Sequence, residues 1–203
     1  MSKCPQDTLN RIWQLYAKQG IGDDLQIIEA LAYHLLRRSE NPDQFENSVY
    51  PQPISLKHER TQLLETLLTD ALSSLSAADL LNHCLLFQPD SMQAGGRYPT
   101  PRHISRLMAD LAQVFVTNKE ASIADFACGS GGLLVEFPQH NVTGSEISPT
   151  WARLARANLR LHGMNDGDIY TGDTLVIVGS RVKNHFDIIT MNPPSAHRWK
   201  RCW

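Results

Sequence analysis

Four short stretches of this 203-residue chain place ligand-holding residue types where strands should end. In "DFACGSGGLL" (125–134), Gly129, Gly131 and Gly132 follow a strand pattern and permit a tight turn with close backbone approach to a ligand. A dinucleotide fingerprint would need glycine at 134, where Leu134 stands, and no phosphate-loop Lys-Ser/Thr follows. Glu146 closes "NVTGSE", the position at which a carboxylate in a doubly wound sheet accepts hydrogen bonds from ribose hydroxyls. Asp173 closes "DIYTGD" and can accept from a purine amino group. Finally, "FDIITMNPP" (186–194) runs into Asn192, Pro193 and Pro194. The Asn192 side-chain oxygen and the Pro193 carbonyl can both accept from a planar NH₂, and the prolines hold a turn that no strand can continue.

Each stretch also has an ordinary reading. Glu146 could serve the N-terminus of the helix that follows, Asp173 could be a turn residue, and Asn-Pro-Pro could simply end a strand. Their succession on consecutive strand ends is what points to one ligand, because ligands in such sheets bind beyond the carboxyl ends of the strands.

The elements that must position these residues come in two blocks. Residues 1–90 form an all-α N-terminal domain. "DDLQIIEALAYHLLRR" carries Leu25, Ile28, Leu31, Ala32 and Leu35 at helical spacing, with acids at its start and Arg37 and Arg38 at its end. "ERTQLLETLLTDALSSL" and "SAADLLNHCLLF" read as two further helices, the latter with Ser76 as N-cap. "SENPDQFENSVYPQPIS" reads as a loop, and the Gly- and Pro-rich "QPDSMQAGGRYPTPRH" marks the boundary to a second domain over 91–203. There "PRHISRLMADLAQVF" resumes helical spacing, with Pro101 suited to the first turn. "SIADFAC", "NVTGSE", "DIYTGD" and "FDIITMN" then alternate with a helix opened by "GGLLVEF" and with "SPTWARLARANLRLHG". Such alternation implies a parallel sheet covered by helices. His34, His83 and His162 fall within helical patterns, where packing or capping is the expected role.

Composition narrows the class. With 42% hydrophobic and 20% charged residues the chain can bury one substantial core, and a formal net charge of −2 gives no global field for nucleic acid. The basic tail "HRWKRCW" reads as a solvated end in preference to a phosphate contact. Cys4, Cys84, Cys128 and Cys202 show neither pairing nor metal spacing, so reduced thiols and no metal are expected. No signal-like segment or long apolar run occurs, and the expected location is cytoplasmic with no membrane partner.

Taken in order, "GRYPTPRHIS", "DFACGSGGLL", "GSEISPTWARLARANLRLHG", "TGDTL" and "FDIITMNPP" resemble the N6-adenine DNA methyltransferases, most closely the M subunits of type I restriction-modification systems. The similarity spans about residues 92–195. It implies an α/β fold: a partial doubly wound, Rossmann-like sheet of the S-adenosylmethionine-dependent methyltransferase type, preceded by the helical domain. It also implies S-adenosyl-L-methionine as methyl donor, with Tyr98, Thr100, Pro101, Asp125, Gly129 and Gly131 around the methionine part, Glu146 at the ribose and Asp173 at the adenine. Asn192, Pro193 and Pro194 would hold the amino nitrogen of an adenine rotated out of the duplex. DNA and the specificity and restriction subunits of a type I system are the implied partners.

Two departures from the family pattern set further expectations. Family members carry an aromatic after Asn-Pro-Pro where Ser195 stands here. The lost base stacking, about 1–3 kcal/mol, implies weak or absent activity. The family also continues with more strands, so a truncated chain is expected, or one completed by a second polypeptide, with "FDIITMN" beside "SIADFAC" and otherwise unpaired. Left open are a non-catalytic cofactor-binding or assembly remnant contacting a specificity subunit, and a methyltransferase for an RNA base or a protein glutamine.

Overall fold

A computed structural model describes residues 5–41, 45, 50, 56–86, 99–116, 118, 120–164, 168–177 and 185–193. Tyr98, Pro194, Ser195 and the basic tail lie outside these residues, as does most of the "SENPDQFENSVYPQPIS" loop. The chain divides into two compact units, Met1–Phe87 and Gln88–Trp203.

Among its described residues the first unit packs the helices α1 (Pro5–Ala17), α2 (Asp24–Ser39), α3 (His58–Leu72) and α4 (Ala77–Leu86). Its core is the apolar stripe of each, including Leu9, Ile12, Ile28, Leu31, Leu35, Leu64, Leu68 and Leu81, all nearly or fully buried. Asp23 caps α2 through its carboxylate on the Leu25 amide, and Arg37 and Arg38 sit in the last turn. Ser76 caps α4 as expected: its hydroxyl accepts the Asp79 amide at 3.0 Å and donates to the Asp79 carboxylate. Helix α1 was not separately legible in the sequence.

The second unit opens with α5 (Arg102–Gln113), which starts one residue later than expected because Pro101 stands at the N-cap, in extended conformation. Then come β1 (Ser122–Asp125), β2 (Asn141–Glu146), α6 (Pro149–Leu161), β3 (Asp168–Thr171), the single turn α7 (Thr174–Ile177) and β4 (Ile188–Ile189). All four strands are parallel in the order β3-β2-β1-β4. The fold class is thus α/β with a parallel sheet. Strand β4 pairs with β1, Ile123 opposite Ile188, and has no second neighbour among the described residues. Ile189 there is 57% exposed. The core beneath the sheet gathers Ile123, Leu134, Phe137, Val142, Ala155, Leu159 and Ile169. At the end of α6 the His162 ring takes a capping role against the Asn158 carbonyl, 2.8 Å away.

One element differs from expectation. The glycine turn opens no α-helix; "GGLLVEF" forms only a 3₁₀ turn, Leu134–Glu136. Phe137 precedes Pro138, which disfavours helical backbone at that residue, and the Phe137 amide closes the turn on the Leu134 carbonyl. Arg102 and Arg106 of α5 face Glu136 at 3.5 and 3.6 Å, which ties α5 to this turn.

Candidate functional site

The site residues collect where β1, β2 and β4 end. Gly129 and Gly131 have φ of 52° and 73°, a left-handed backbone that a side chain would strain. The two glycines do different things. A Cβ on Gly129 would meet nothing within 4 Å, so the Cα of this turn borders open space. A Cβ on Gly131 would meet Ala155 of α6 at 3.4 Å, so this glycine allows the turn to lie against the helix.

Glu146 holds the turn from the neighbouring strand. One carboxylate oxygen accepts the Gly129 amide at 3.1 Å and the other accepts the Ser148 amide at 2.8 Å. The helix-terminal role weighed for Glu146 is therefore present, since Ser148 immediately precedes α6. Each oxygen keeps a further lone pair with which a hydroxyl can pair.

Asp125, at the end of β1, is 3% exposed and accepts the Ala127 amide at 2.9 Å. Burial pushes its carboxyl up to about 7; the Ala127 hydrogen bond pulls the other way and the nearby Glu146 charge adds to the rise. Burial, reinforced by Asp125 and Glu146, likewise pushes the Cys128 thiol well above its ordinary range. A thiol held protonated this way fills core space and is no nucleophile.

Asn192 lies three residues past β4, exposed, with its Nδ2 donating to Thr100 Oγ1 at 2.9 Å. The Thr190 amide donates to the Ala124 carbonyl at 2.8 Å, which carries the β1 pairing almost to Asn192. Pro193 and Pro101 are exposed. Asp173 is exposed as well, and one of its oxygens accepts the Leu175 amide in a local turn. The structure thus joins Gly129 to Glu146 and Thr100 to Asn192 by direct bonds, whereas the Leu175 bond of Asp173 is local.

Several supports went unnoticed in the sequence. The buried Asn158 of α6 donates to the Ser130 carbonyl at 3.0 Å, and the Thr174 hydroxyl reaches the Phe126 carbonyl and, at 2.9 Å, the Ser145 hydroxyl. A polar residue in the apolar stripe "WARLARANL" was the signal for Asn158. Thr174 gave none. Among the described residues no three His, Cys, Asp or Glu side chains group as metal ligands would, and no helix is long and apolar enough to cross a membrane.

Comparison with known proteins places this geometry. The family model for N-6 DNA methylase matches residues 83–202. The methylase subunit of the type I restriction enzyme MpnII of Mycoplasma pneumoniae is 28% identical over 134 residues, 56% of this chain but 24% of that protein. The chain therefore spans about a quarter of that relative's length. Among solved structures, one from Listeria monocytogenes described as a class I S-adenosylmethionine-dependent methyltransferase superposes with a TM-score of 0.62 at 16% identity, over 93% of this chain and 59% of that one. The type I restriction-modification methyltransferase subunit of Streptococcus thermophilus gives 0.55 at 19% identity, over 96% and 46%. At these identities the two structures speak for the fold.

Proposed function

The chain belongs to the N-6 DNA methylase family, and from that premise we propose that it carries the cofactor and amine-holding sites of an S-adenosylmethionine-dependent methyltransferase acting on the N6 amino group of adenine in DNA, as the modification subunit of a type I restriction-modification system. The observation that carries the reading is the Glu146 carboxylate bonded to the Gly129 turn at one strand end, with Asn192 at the end of the strand next but one.

The residues present suit that cofactor. The open space at Gly129 lets a ligand approach the backbone, Glu146 keeps lone pairs for ribose hydroxyls, and Asp125 offers a carboxyl that a neighbouring cation would ionise. By the resemblance, Tyr98 and Pro101 are assigned with Gly131 to the methionine end of the site and Asp173 to the adenine end, while Thr100, also expected there, is bonded to Asn192 instead. When bound, S-adenosylmethionine supplies an electrophilic methyl group.

The protein's own part is positional. Asn192 Oδ1 and the Pro193 carbonyl accept the two hydrogens of the substrate amine, which aims its nitrogen and raises its electron density, while the Pro193 ring, with Pro194 assigned the same part by the resemblance, restricts the backbone that carries both acceptors. Extruding the base precedes this step. DNA grip and target choice are assigned to a specificity subunit, since a net charge of −2 gives little attraction of its own.

Titration calorimetry with S-adenosylmethionine, and transfer of its labelled methyl group to adenine-containing DNA or RNA in the presence of a type I specificity subunit, test the reading. Glu146→Ala should weaken cofactor binding by at least about tenfold, the scale of one charged hydrogen bond. Asn192→Ala should abolish transfer yet retain binding. A folded wild-type chain that takes up no cofactor defeats the proposal, and transfer confined to RNA reassigns the substrate.

A further inference from the structure

Thr100 and Asn192 are 92 residues apart in sequence, yet Asn192 Nδ2 lies 2.9 Å from Thr100 Oγ1. Both residues stand immediately before a proline, Pro101 and Pro193. A following proline confines each backbone to extended conformations. Thr100 is fixed further because Pro101 is the N-cap of α5, its carbonyl accepting the Ile104 amide at 2.8 Å. Asn192 is fixed through Thr190, whose amide is bound to the Ala124 carbonyl. Two stiff pieces of backbone therefore present one hydroxyl to one carboxamide.

An asparagine carboxamide turns about its last torsion with a broad, roughly two-fold preference, so free in solvent it would offer oxygen and nitrogen alternately. An amine-holding role needs the oxygen. We propose that the Thr100 hydroxyl is a positioning residue for Asn192: by accepting from Nδ2 it turns Oδ1 toward the substrate amine. A threonine hydroxyl can also donate, but that arrangement would turn the Asn192 NH₂ toward the incoming NH₂, donor against donor. With the amine present, the accepting hydroxyl is the arrangement that sets no donor against a donor. The role in catalysis rests on the methyl-transfer reading above; the contact itself does not.

The test uses the full chain labelled with ¹⁵N-asparagine, the Asn192 side-chain NH₂ signal being assigned by its loss in Asn192→Asp. Thr100→Val keeps the shape and removes the hydroxyl, Thr100→Ser keeps the hydroxyl, and Thr100→Ala repeats the loss should the valine variant fold poorly. In Thr100→Val or Thr100→Ala the Asn192 NH₂ signal should shift and exchange faster with water, and methyl transfer should fall about tenfold, the scale of one neutral hydrogen bond. S-adenosylmethionine affinity should change by less than about threefold, and Thr100→Ser should restore both signal and rate. An unmoved Asn192 signal overturns the proposal, as does an affinity loss as large as the loss of transfer, which would make Thr100 a cofactor contact. Should the wild type transfer no methyl group at all, the catalytic role of Thr100 in this chain falls, while cofactor binding still decides the methyl-transfer reading and the signal comparison still upholds or rejects the Thr100–Asn192 pairing.

Discussion

The turn at Gly129 and the end at Asn192 follow neighbouring strands, β1 and β4, but they are secured by different means. Around Gly129 the supports come from several sides: Glu146 on β2, Asn158 on α6 through Ser130, and Thr174 through Phe126. Cys128 adds its amide to the Ser145 carbonyl at 3.0 Å. Asn192 depends on a strand of two residues whose far side has no partner among the described residues, and on one side-chain bond to Thr100. The cofactor half of the proposed site is therefore built in by packing, and the amine half is held by a few hydrogen bonds. Local openings draw on regions with few buried contacts, so the β4 end should open first.

The well-supported half contains its own weakness, and the largest expected effect probes it. Asp125 titrates near 7 in the fold against an ordinary 3.8. Between those values the unfolded chain gives up a proton that the folded chain keeps, so stability falls as pH rises. The contribution is complete below pH 3.8 and is lost by about pH 8; the cost is about 4 kcal/mol. Asp125→Asn should keep the Ala127 hydrogen bond and flatten urea-unfolding stability between pH 5 and 8, leaving the variant more stable than wild type at the upper end. Linkage gives a second readout: a cationic ligand at the site favours ionised Asp125, so S-adenosylmethionine affinity should rise with pH through 7 in wild type but not in the variant. Identical pH profiles for the two chains would remove Asp125 from the account.

A middle-sized effect tests the packing itself. Gly144 lies on β2, where a Cβ would approach Ile169 Cδ1 at 2.7 Å, Cys128 Sγ at 2.9 Å and Leu134 Cδ1 at 3.0 Å. Its φ is not in the left-handed region, so the constraint is space alone. Gly144→Ala should cost about 1–3 kcal/mol in urea unfolding, the usual range for overpacking. A neutral result would mean the glycine-turn region is looser than its contacts indicate, and the contrast with β4 would weaken.

Legibility in the sequence follows the same division. Strand ends at Asp125 and Glu146 could be read because a short stretch with apolar or β-branched residues runs into a glycine turn or a helix start close in sequence. The parallel sheet followed from strand–helix alternation, and the β4 position beside β1 came from the family resemblance. The helix expected after Gly132 is only a 3₁₀ turn because Pro138 cuts short the helix that the apolar run before it favours. Two further facts were beyond reach. The rise at Asp125 depends on burial, which no local pattern reports, and the Thr100–Asn192 bond joins segments whose approach is decided only when α5 and β4 dock on the same sheet.

The smallest effect belongs to the loosely held half. Asp187, just before β4, accepts both the Ser122 amide at 2.8 Å and the Ser122 hydroxyl at 2.9 Å, and its own amide donates to the Ser122 carbonyl at 3.0 Å. The amide first, then the hydroxyl, hold its carboxyl below the ordinary 3.8, so this clamp is intact at neutral pH and releases only as acid drops below that range. Asp187 is exposed, and global stability should change little on Asp187→Ala. What should change is the hold on β4. The Thr190 amide, bound to Ala124, should exchange with solvent about tenfold faster at pH 7, whereas the Gly172 amide, bound to the Glu146 carbonyl at 2.9 Å on the other side of the sheet, should not respond. Equal acceleration at both amides would mean that the sheet opens as one unit, and that Asn192 is held as firmly as Gly129 by cooperativity that individual contacts do not display.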